Sequence, residues 1–179
     1  MSLMQIPRSA SARSLDGFTM VELLITLVIL AILLAVAAPG MSTFVNSSRL
    51  RASQAEFVAA LTLARSEATR RGTRISIDAL APVEGAELSG GWRVFQDAND
   101  SGSFDEGEAE LRYHPALTGN LRFSTSRALP IVFDPRGFLD SPGAFEFTLC
   151  GRSGFAAGYR ILLEPIGLTD VLELNSCAG

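Results

Sequence analysis

Lysine is absent from the sequence, so all fifteen basic residues are arginine, against nineteen acidic residues and a net charge of −4. A chain of this charge has no general attraction for nucleic acid. One histidine and two cysteines without a Cys-x-x-Cys spacing argue against a zinc site. The sequence also lacks a glycine-rich nucleotide loop, a nucleophile motif and a carboxylate pair placed as acid and base. None of these residues is therefore a candidate for catalysis, and we expect His114 to be an ordinary strand or surface residue.

Composition otherwise fits one folded domain beside a long apolar segment, since 47% of the 179 residues are hydrophobic. Both cysteines, Cys150 and Cys177, fall near the carboxyl end. They would form a disulfide if this part of the chain lies outside the cytoplasm. Closing a loop of that size would stabilise the fold by roughly 3–4 kcal/mol. Two reduced core thiols are the alternative.

The apolar segment covers residues 18–38, in which only Thr19, Glu22 and Thr26 are not apolar. As a helix it would be roughly 30 Å long, which matches the hydrocarbon thickness of a bilayer. A secretory signal peptide would also be apolar and preceded by basic residues, here Arg8 and Arg13. This run is longer than such a signal, and an acidic residue inside it is costly. A plain membrane anchor leaves Glu22 unexplained.

A third explanation places a cleavage before the apolar segment, after Gly17. The new amino terminus would then be Phe18, with its amine one helical turn from Glu22. Opposite charges at that spacing neutralise each other, and a helix amino terminus favours a carboxylate. Alternatively, Glu22 would meet the amine of a neighbouring subunit and fix the stagger between subunits.

The stretch GFTMVELLITLVILAILLAVAAP resembles the class III signal of type IV pilins and type II secretion pseudopilins. The Gly-Phe junction, the Thr-x-x-Glu spacing, the Leu/Ile/Val run and the terminal proline all match. The resemblance implies cleavage after Gly17 by a prepilin peptidase and N-methylation of Phe18. It also implies that Glu22 guides assembly. Residues 1–17 would be the leader, with translation starting at Met1 or Met4.

The helical pattern continues after this segment. Pro39-Gly40 should kink or loosen the helix, and Gly72 is a suitable stop. We therefore expect a helix over residues 18–71, with a transmembrane first part (18–39) and an amphipathic continuation (40–72). One apolar stripe recurs at three- and four-residue steps, formed by Phe44, Leu50, Phe57, Leu61, Ala64 and Ala68. The stripe should pack against the chain's own domain, the alternative being a groove on a partner. Trp92 and the phenylalanines should lie in the core.

Residues 73–179 have the pattern of a β-rich domain. Short runs with period-two alternation and intervening Gly and Pro predict strands at 74–78, 92–96, 110–114, 121–124, 131–133, 144–150, 159–163 and 171–174. A long helix followed by this many strands predicts an α+β fold, with the helix covering one face of an antiparallel sheet.

Residues in this region make the resemblance to a family more specific. The stretches ARSEATRRGTRISI, GWRVFQDANDSGSFDEGE and IVFDPRGF, with Cys150 and a late Cys177, resemble the H-type minor pseudopilins, a family that includes GspH and the FimT and FimU minor pilins. The resemblance implies a type IV pilin-like fold and a structural subunit, rather than an enzyme, at or near the tip of a fibre. Its implied partners are other major and minor pilins or pseudopilins, the prepilin peptidase and the inner-membrane assembly platform.

The loop at residues 97–108, DANDSGSFDEGE, also fits a twelve-residue calcium loop. The ligands would be Asp97, Asn99, Ser101, the Ser103 carbonyl, Asp105 and Glu108. The flanks read as strands rather than helices, so this is not a helix–loop–helix hand. The alternative is a polar turn in which Asn and Asp bond to their own backbone.

The sequence therefore predicts a single-pass inner-membrane protein with a periplasmic carboxyl-terminal domain, which is extracted into a periplasmic fibre. A type II secretion pseudopilus and a type IV pilus both fit this pattern. DNA uptake is a rival function that some FimT-like pilins would suggest. The corresponding basic element reads Gly167-Leu168-Thr169-Asp170 here, without arginine, and only Arg152 and Arg160 follow Cys150. We therefore do not expect nucleic-acid binding.

Overall fold

The computed structural model describes residues 18–82, 84, 87–119, 121–151 and 158–177, with the side chains of residues 36–40, 42 and 43 excepted. In these residues the chain forms one helix, α1 (Met20–Arg71), followed by eight strands. Two compact units are present, Met1–Gly40 and Met41–Gly179. The helical backbone continues through Pro39 and Gly40, where the sequence predicts a kink or loosening.

The second half of α1 buries a narrow stripe. Five of the predicted stripe residues are at most 3% exposed, namely Leu50, Phe57, Leu61, Ala64 and Ala68. The prediction is wrong for Phe44, which is 72% exposed, because the first residue of α1 in the core is Leu50, about 1.7 turns later. The helix ends as predicted: Gly72 has a φ of 66°, and its N–H donates to the Ala68 carbonyl at 2.9 Å.

The strands agree with the predicted positions to within two residues at each end. They are β1 (Ile75–Ala79), β2 (Trp92–Gln96), β3 (Glu110–His114), β4 (Leu121–Thr125), β5 (Ile131–Phe133), β6 (Phe145–Gly151), β7 (Gly158–Leu163) and β8 (Thr169–Leu174). They form two antiparallel sheets, ordered β3-β2-β1-β5 and β4-β6-β7-β8. The expectation of one sheet under the helix is thus replaced by two, since alternation shows which face is buried but not which strands pair.

Phe57 joins α1 to both sheets at the centre of the core. Its ring centroid lies 5.2 Å from that of Trp92 on β2, 4.7 Å from Phe123 on β4 and 4.9 Å from Phe147 on β6. All three pairs are edge-on, a geometry worth about 0.5–1.5 kcal/mol each beyond the buried area. The α+β fold therefore has one continuous core between the helix and the two sheets.

Two turns close over the last part of α1. In the first, Asp134 accepts hydrogen bonds from the amides of Arg136 and Phe138, both at 2.9 Å. The second is the β7–β8 turn, in which Gly167 has a φ of 76°. Arg65 of α1 donates to the Gly167 carbonyl at 2.9 Å, so it anchors this turn to the helix.

Candidate assembly site

The amino-terminal segment presents its apolar side chains outward. Every side chain in residues 18–35 is exposed, including Phe18 at 78% and Leu34 at 60%. Isolated soluble proteins rarely expose a continuous apolar surface of this extent, and such a surface marks contact with another molecule. In the described part of the chain, no helix is both long and apolar enough to cross a membrane. The predicted cleavage residue Gly17 lies outside the described residues.

Thr19 and Glu22 together form the start of α1. The Thr19 hydroxyl accepts a hydrogen bond from the Glu22 amide at 3.2 Å, and the Thr19 carbonyl accepts the first helical bond, from Leu23. Thr19 is therefore the N-cap, and Glu22 stands at the third helical position, where a carboxylate suits the positive helix end. The sequence interpretation missed the cap, although Thr-x-x-Glu before an apolar run is its usual signal. Phe18 precedes the helix rather than forming part of it.

The loop at residues 97–108 is anchored by Asp97, which is only 3% exposed. Its carboxylate accepts hydrogen bonds from the Ser76 hydroxyl at 2.9 Å and from the Ser101 and Gly102 amides at 3.0 Å. The positive φ of Gly102, 76°, permits the tight turn. Asp97 therefore fastens the loop to β1 through Ser76.

The remaining predicted calcium ligands also meet within this loop. The Asp105 carboxylate accepts hydrogen bonds from Asn99 at 2.8 Å and Ser101 at 2.9 Å, and these bonds lower the pKa of Asp105. The Ser101 hydroxyl oxygen also lies 2.9 Å from the Ser103 carbonyl oxygen. Glu108 accepts from the Ala98 and Asp105 amides. Among the described residues, no group of three or more His, Cys, Asp or Glu side chains is placed to hold a metal. Calcium binding stays a prediction.

A contact that the sequence did not indicate joins α1 to β3. The imidazole of His114 lies with Nε2 2.5 Å from the Glu56 carboxylate and Nδ1 2.7 Å from the Pro115 carbonyl. Its ring stacks on Trp92, with centroids 3.9 Å apart and planes within 4°. The Trp92 N–H is buried and has no hydrogen-bond acceptor among the described residues. His114 is thus a strand residue with a structural contact.

Two pockets, which share Glu56 and His114 in their linings, lie beside the Glu56–His114 contact. One pocket, of about 230 Å³, lies between α1 at Arg49 and the chain following β3. The other, of about 270 Å³, is lined by Trp92, Arg112 and Tyr113. Arg49 and Arg112 are both exposed, and Arg49 packs against Gly119. We call these two pockets together the proximal groove.

Cys150 and Cys177 are joined in a disulfide, with Cα atoms 5.9 Å apart. The bond ties the end of the chain to β6. It lies against Gly158 on β7, where a Cβ atom would be 2.4 Å from the Cys177 sulfur. A glycine is therefore required for the close approach of the disulfide to the sheet.

The candidate DNA element is not basic in the structure. Gly167 bonds to Arg65, and Asp170 lies exposed on β8. Arg160 pairs with Glu146 across β6 and β7 at 3.0 Å, while Arg152 lies outside the described residues.

Comparison with known proteins agrees with this architecture. The family described as type II transport protein GspH matches residues 54–167, and the prokaryotic N-terminal methylation motif matches residues 16–38. The pilin-like protein PilA1 of Thermus thermophilus is 32% identical over 132 residues, covering 70% of this chain and 80% of that protein.

Two solved structures share the fold. The type IV minor pilin FimU of Pseudomonas aeruginosa has a TM-score of 0.58 at 24% identity, over 75% of this chain and 99% of FimU. The minor pseudopilin EpsH from the type 2 secretion system of Vibrio cholerae has a TM-score of 0.51 at 14% identity, over 69% and 96% of the two chains. The fold is therefore pilin-like. With a family match over most of its length and an N-terminal methylation motif, the chain belongs to the GspH family of minor pseudopilins and pilins.

Proposed function

We propose that the chain is a minor pseudopilin of a type II secretion pseudopilus, a structural subunit at or near the fibre tip and not an enzyme. The GspH match over residues 54–167 supports the secretion assignment. The observation that carries the proposal is the exposed apolar surface of residues 18–35, headed by Glu22. A fibre of packed helices would bury this surface, and a carboxylate there would need a positive partner because an unpaired buried charge is costly.

The same segment supports the membrane stage that precedes assembly. The methylation motif implies a membrane-anchored amino terminus and pilus-like assembly. We place the anchor in the inner membrane, with a single pass and a periplasmic carboxyl-terminal domain. The Cys150–Cys177 disulfide supports this location, because such bonds persist in oxidising compartments like the periplasm. Prepilin peptidase would cut after Gly17, and Phe18 would be methylated.

Substitution of Glu22 tests the fibre role. Glu22→Gln removes the charge and keeps the side-chain shape, so it should block incorporation or shift the subunit stagger. Thr19→Ala is the matched control, because it removes the N-cap bond but leaves the charge. The measurement is the amount of the chain in sheared fibres relative to the membrane fraction. Normal incorporation of Glu22→Gln would exclude the proposed charge pairing.

A minor pilin of a type IV pilus is the second candidate. Its support is the 32% identity to the pilin-like protein PilA1. Deletion of the gene distinguishes the two, since loss of protein secretion with intact surface pili favours the pseudopilus, and the reverse favours the pilus. In either system Gly17→Ala should leave a larger, unprocessed band on a gel.

A further inference from the structure

Three apolar side chains of α1 are exposed shortly before the helix reaches the core of the carboxyl-terminal unit. They are Met41 at 69%, Phe44 at 72% and Val45 at 38%. The buried stripe begins at Leu50, and Met41 lies about two and a half helical turns before it. The side chains of Met41 and Leu50 therefore leave the helix on opposite sides. Exposed apolar groups of this kind mark contact with another molecule.

The same part of the helix carries positive charge. Arg49 and Arg51 are both exposed. The sequence contains no carboxylate between Glu22 and Glu56, and Glu56 is in contact with His114. Exposed apolar side chains beside arginines, without an acidic residue in the same stretch, suit a partner that has an anionic layer next to an apolar one. A phospholipid bilayer has this arrangement at its headgroup boundary.

With residues 18–38 in a bilayer, as the proposed function requires, these side chains follow the end of the hydrocarbon core closely. Phe44 comes six helical residues after the apolar segment, about 9 Å at the usual rise. The headgroup layer extends about 5–8 Å beyond each side of the hydrocarbon core. Side chains of a helix lean toward its amino terminus, so the ring of Phe44 leans back toward this layer. A lipid headgroup layer thus fits both the position and the charge of these residues.

We propose that this surface of α1 binds the headgroup layer of the membrane before the subunit enters the fibre. The surface consists of Met41, Phe44, Val45, Arg49 and Arg51. The inference rests on the membrane stage of the proposed function. The apolar side chains enter the layer near the glycerol groups, and the two arginines approach the lipid phosphates from the aqueous side. Extraction of the subunit must then break this contact as well as withdraw residues 18–38 from the bilayer.

Quenching of tryptophan fluorescence by brominated lipid tests the contact, with the full chain in vesicles of phosphatidylcholine and phosphatidylglycerol. Bromine atoms placed close to the glycerol groups should quench the emission that Phe44→Trp adds. Thr62→Trp is the matched control, because Thr62 is exposed about five turns further along the same helix face, and its added emission should be unchanged. Leu30→Trp, with bromine near the ends of the acyl chains, reports whether the apolar segment is inserted. Trp92 is fully buried, so the parent chain provides the background.

The lipid charge provides a second measurement. Quenching of Phe44→Trp should increase with the fraction of phosphatidylglycerol, and Arg49→Gln with Arg51→Gln should remove the increase. Arg70→Gln with Arg71→Gln is the control, since it removes the same charge from the last turn of α1 and should leave the increase in place.

The possible failures separate the inference from the proposed function. Quenching of Leu30→Trp without quenching of Phe44→Trp would overturn the inference and leave the membrane stage of the proposed function intact. Absence of quenching in both variants would overturn the membrane stage itself, together with the inference. Burial of Phe44→Trp only in assembled fibres would assign the surface to a subunit contact and overturn the lipid contact. An increase with phosphatidylglycerol that persists without Arg49 and Arg51 would overturn the role of the two arginines.

Discussion

The imidazole of His114 lies flat on the indole of Trp92, with centroids 3.9 Å apart, while its Nε2 contacts Glu56 on α1. One side chain thus covers the core tryptophan and joins the last residue of β3 to the helix. Fifty-eight residues separate His114 from Glu56 in the sequence. The contact closes the hairpin end at which the proximal groove forms.

Replacement of His114 should loosen this end of the domain. We expect His114→Ala to lower the free energy of unfolding by about 1–2 kcal/mol, through loss of stacking and of the Glu56 contact. His114→Phe keeps an aromatic ring over Trp92 and removes only the Glu56 contact. It should therefore lower the free energy of unfolding by less than His114→Ala does. Urea unfolding followed by the fluorescence of Trp92, the single tryptophan, measures both. Equal losses in the two variants would contradict a role for stacking.

The turn at Asp134 should make stability depend on pH. Burial disfavours the charged carboxylate, but hydrogen bonds from the Phe138 amide and from Arg136 outweigh it, and the pKa of Asp134 is lowered. Because the folded pKa is depressed, the stabilisation is present above the unfolded value of about 4 and is lost as the pH falls through the folded pKa. Asp134→Asn should cost about 1–2 kcal/mol at pH 7, and the difference should shrink below about pH 4.

Unfolding curves at several pH values check this dependence. Asp170→Asn is the control, since Asp170 is an exposed residue on β8 and should change stability little at any pH. A constant difference between the parent chain and Asp134→Asn across the acid range would contradict the assignment to this carboxylate.

Local signals made most of the fold predictable. The alternation along β6 places Phe145, Phe147 and Leu149 on one side of the strand, and all three are at most 2% exposed. Gly72 signalled the end of α1 because a left-handed residue there suits glycine. These features depend only on residues close together in the sequence, so the local residue pattern is enough to predict them.

Features that depend on distant parts of the chain were not predictable in the same way. Phe44 continues the apolar period, yet it is 72% exposed. Arg65 and Gly167 are 102 residues apart, and their bond requires the finished β7–β8 turn. The division into two sheets likewise depends on long-range pairing, which periodicity does not determine.

The Arg65–Gly167 contact leads to a prediction about backbone packing. A Cβ atom at residue 167 would lie 2.5 Å from the Gly137 carbonyl oxygen, in addition to the strain of a φ of 76°. Gly72 has a similar φ of 66° with no atom within 4 Å of the same position, so Gly72→Ala measures the backbone strain alone. We expect about 1 kcal/mol for Gly72→Ala and at least about 1 kcal/mol more for Gly167→Ala. Equal destabilisation of the two variants in thermal unfolding would contradict this, and would show that the backbone at Gly167 moves away from Gly137 at little cost.

Calcium binding by the loop at residues 97–108 is tested by thermal unfolding in millimolar calcium. A ligand that binds only the folded chain raises the melting temperature, by an amount equivalent to about 2.7 kcal/mol at a hundredfold excess over Kd. Asp105→Asn and Glu108→Gln should abolish the rise, since both residues supply predicted ligand oxygens. Glu106→Gln is the matched control, because Glu106 occupies a position of the loop without a ligand role. A melting temperature that does not change with calcium would leave the hydrogen bonds of Asp97, Asp105 and Glu108 as the complete account of this loop.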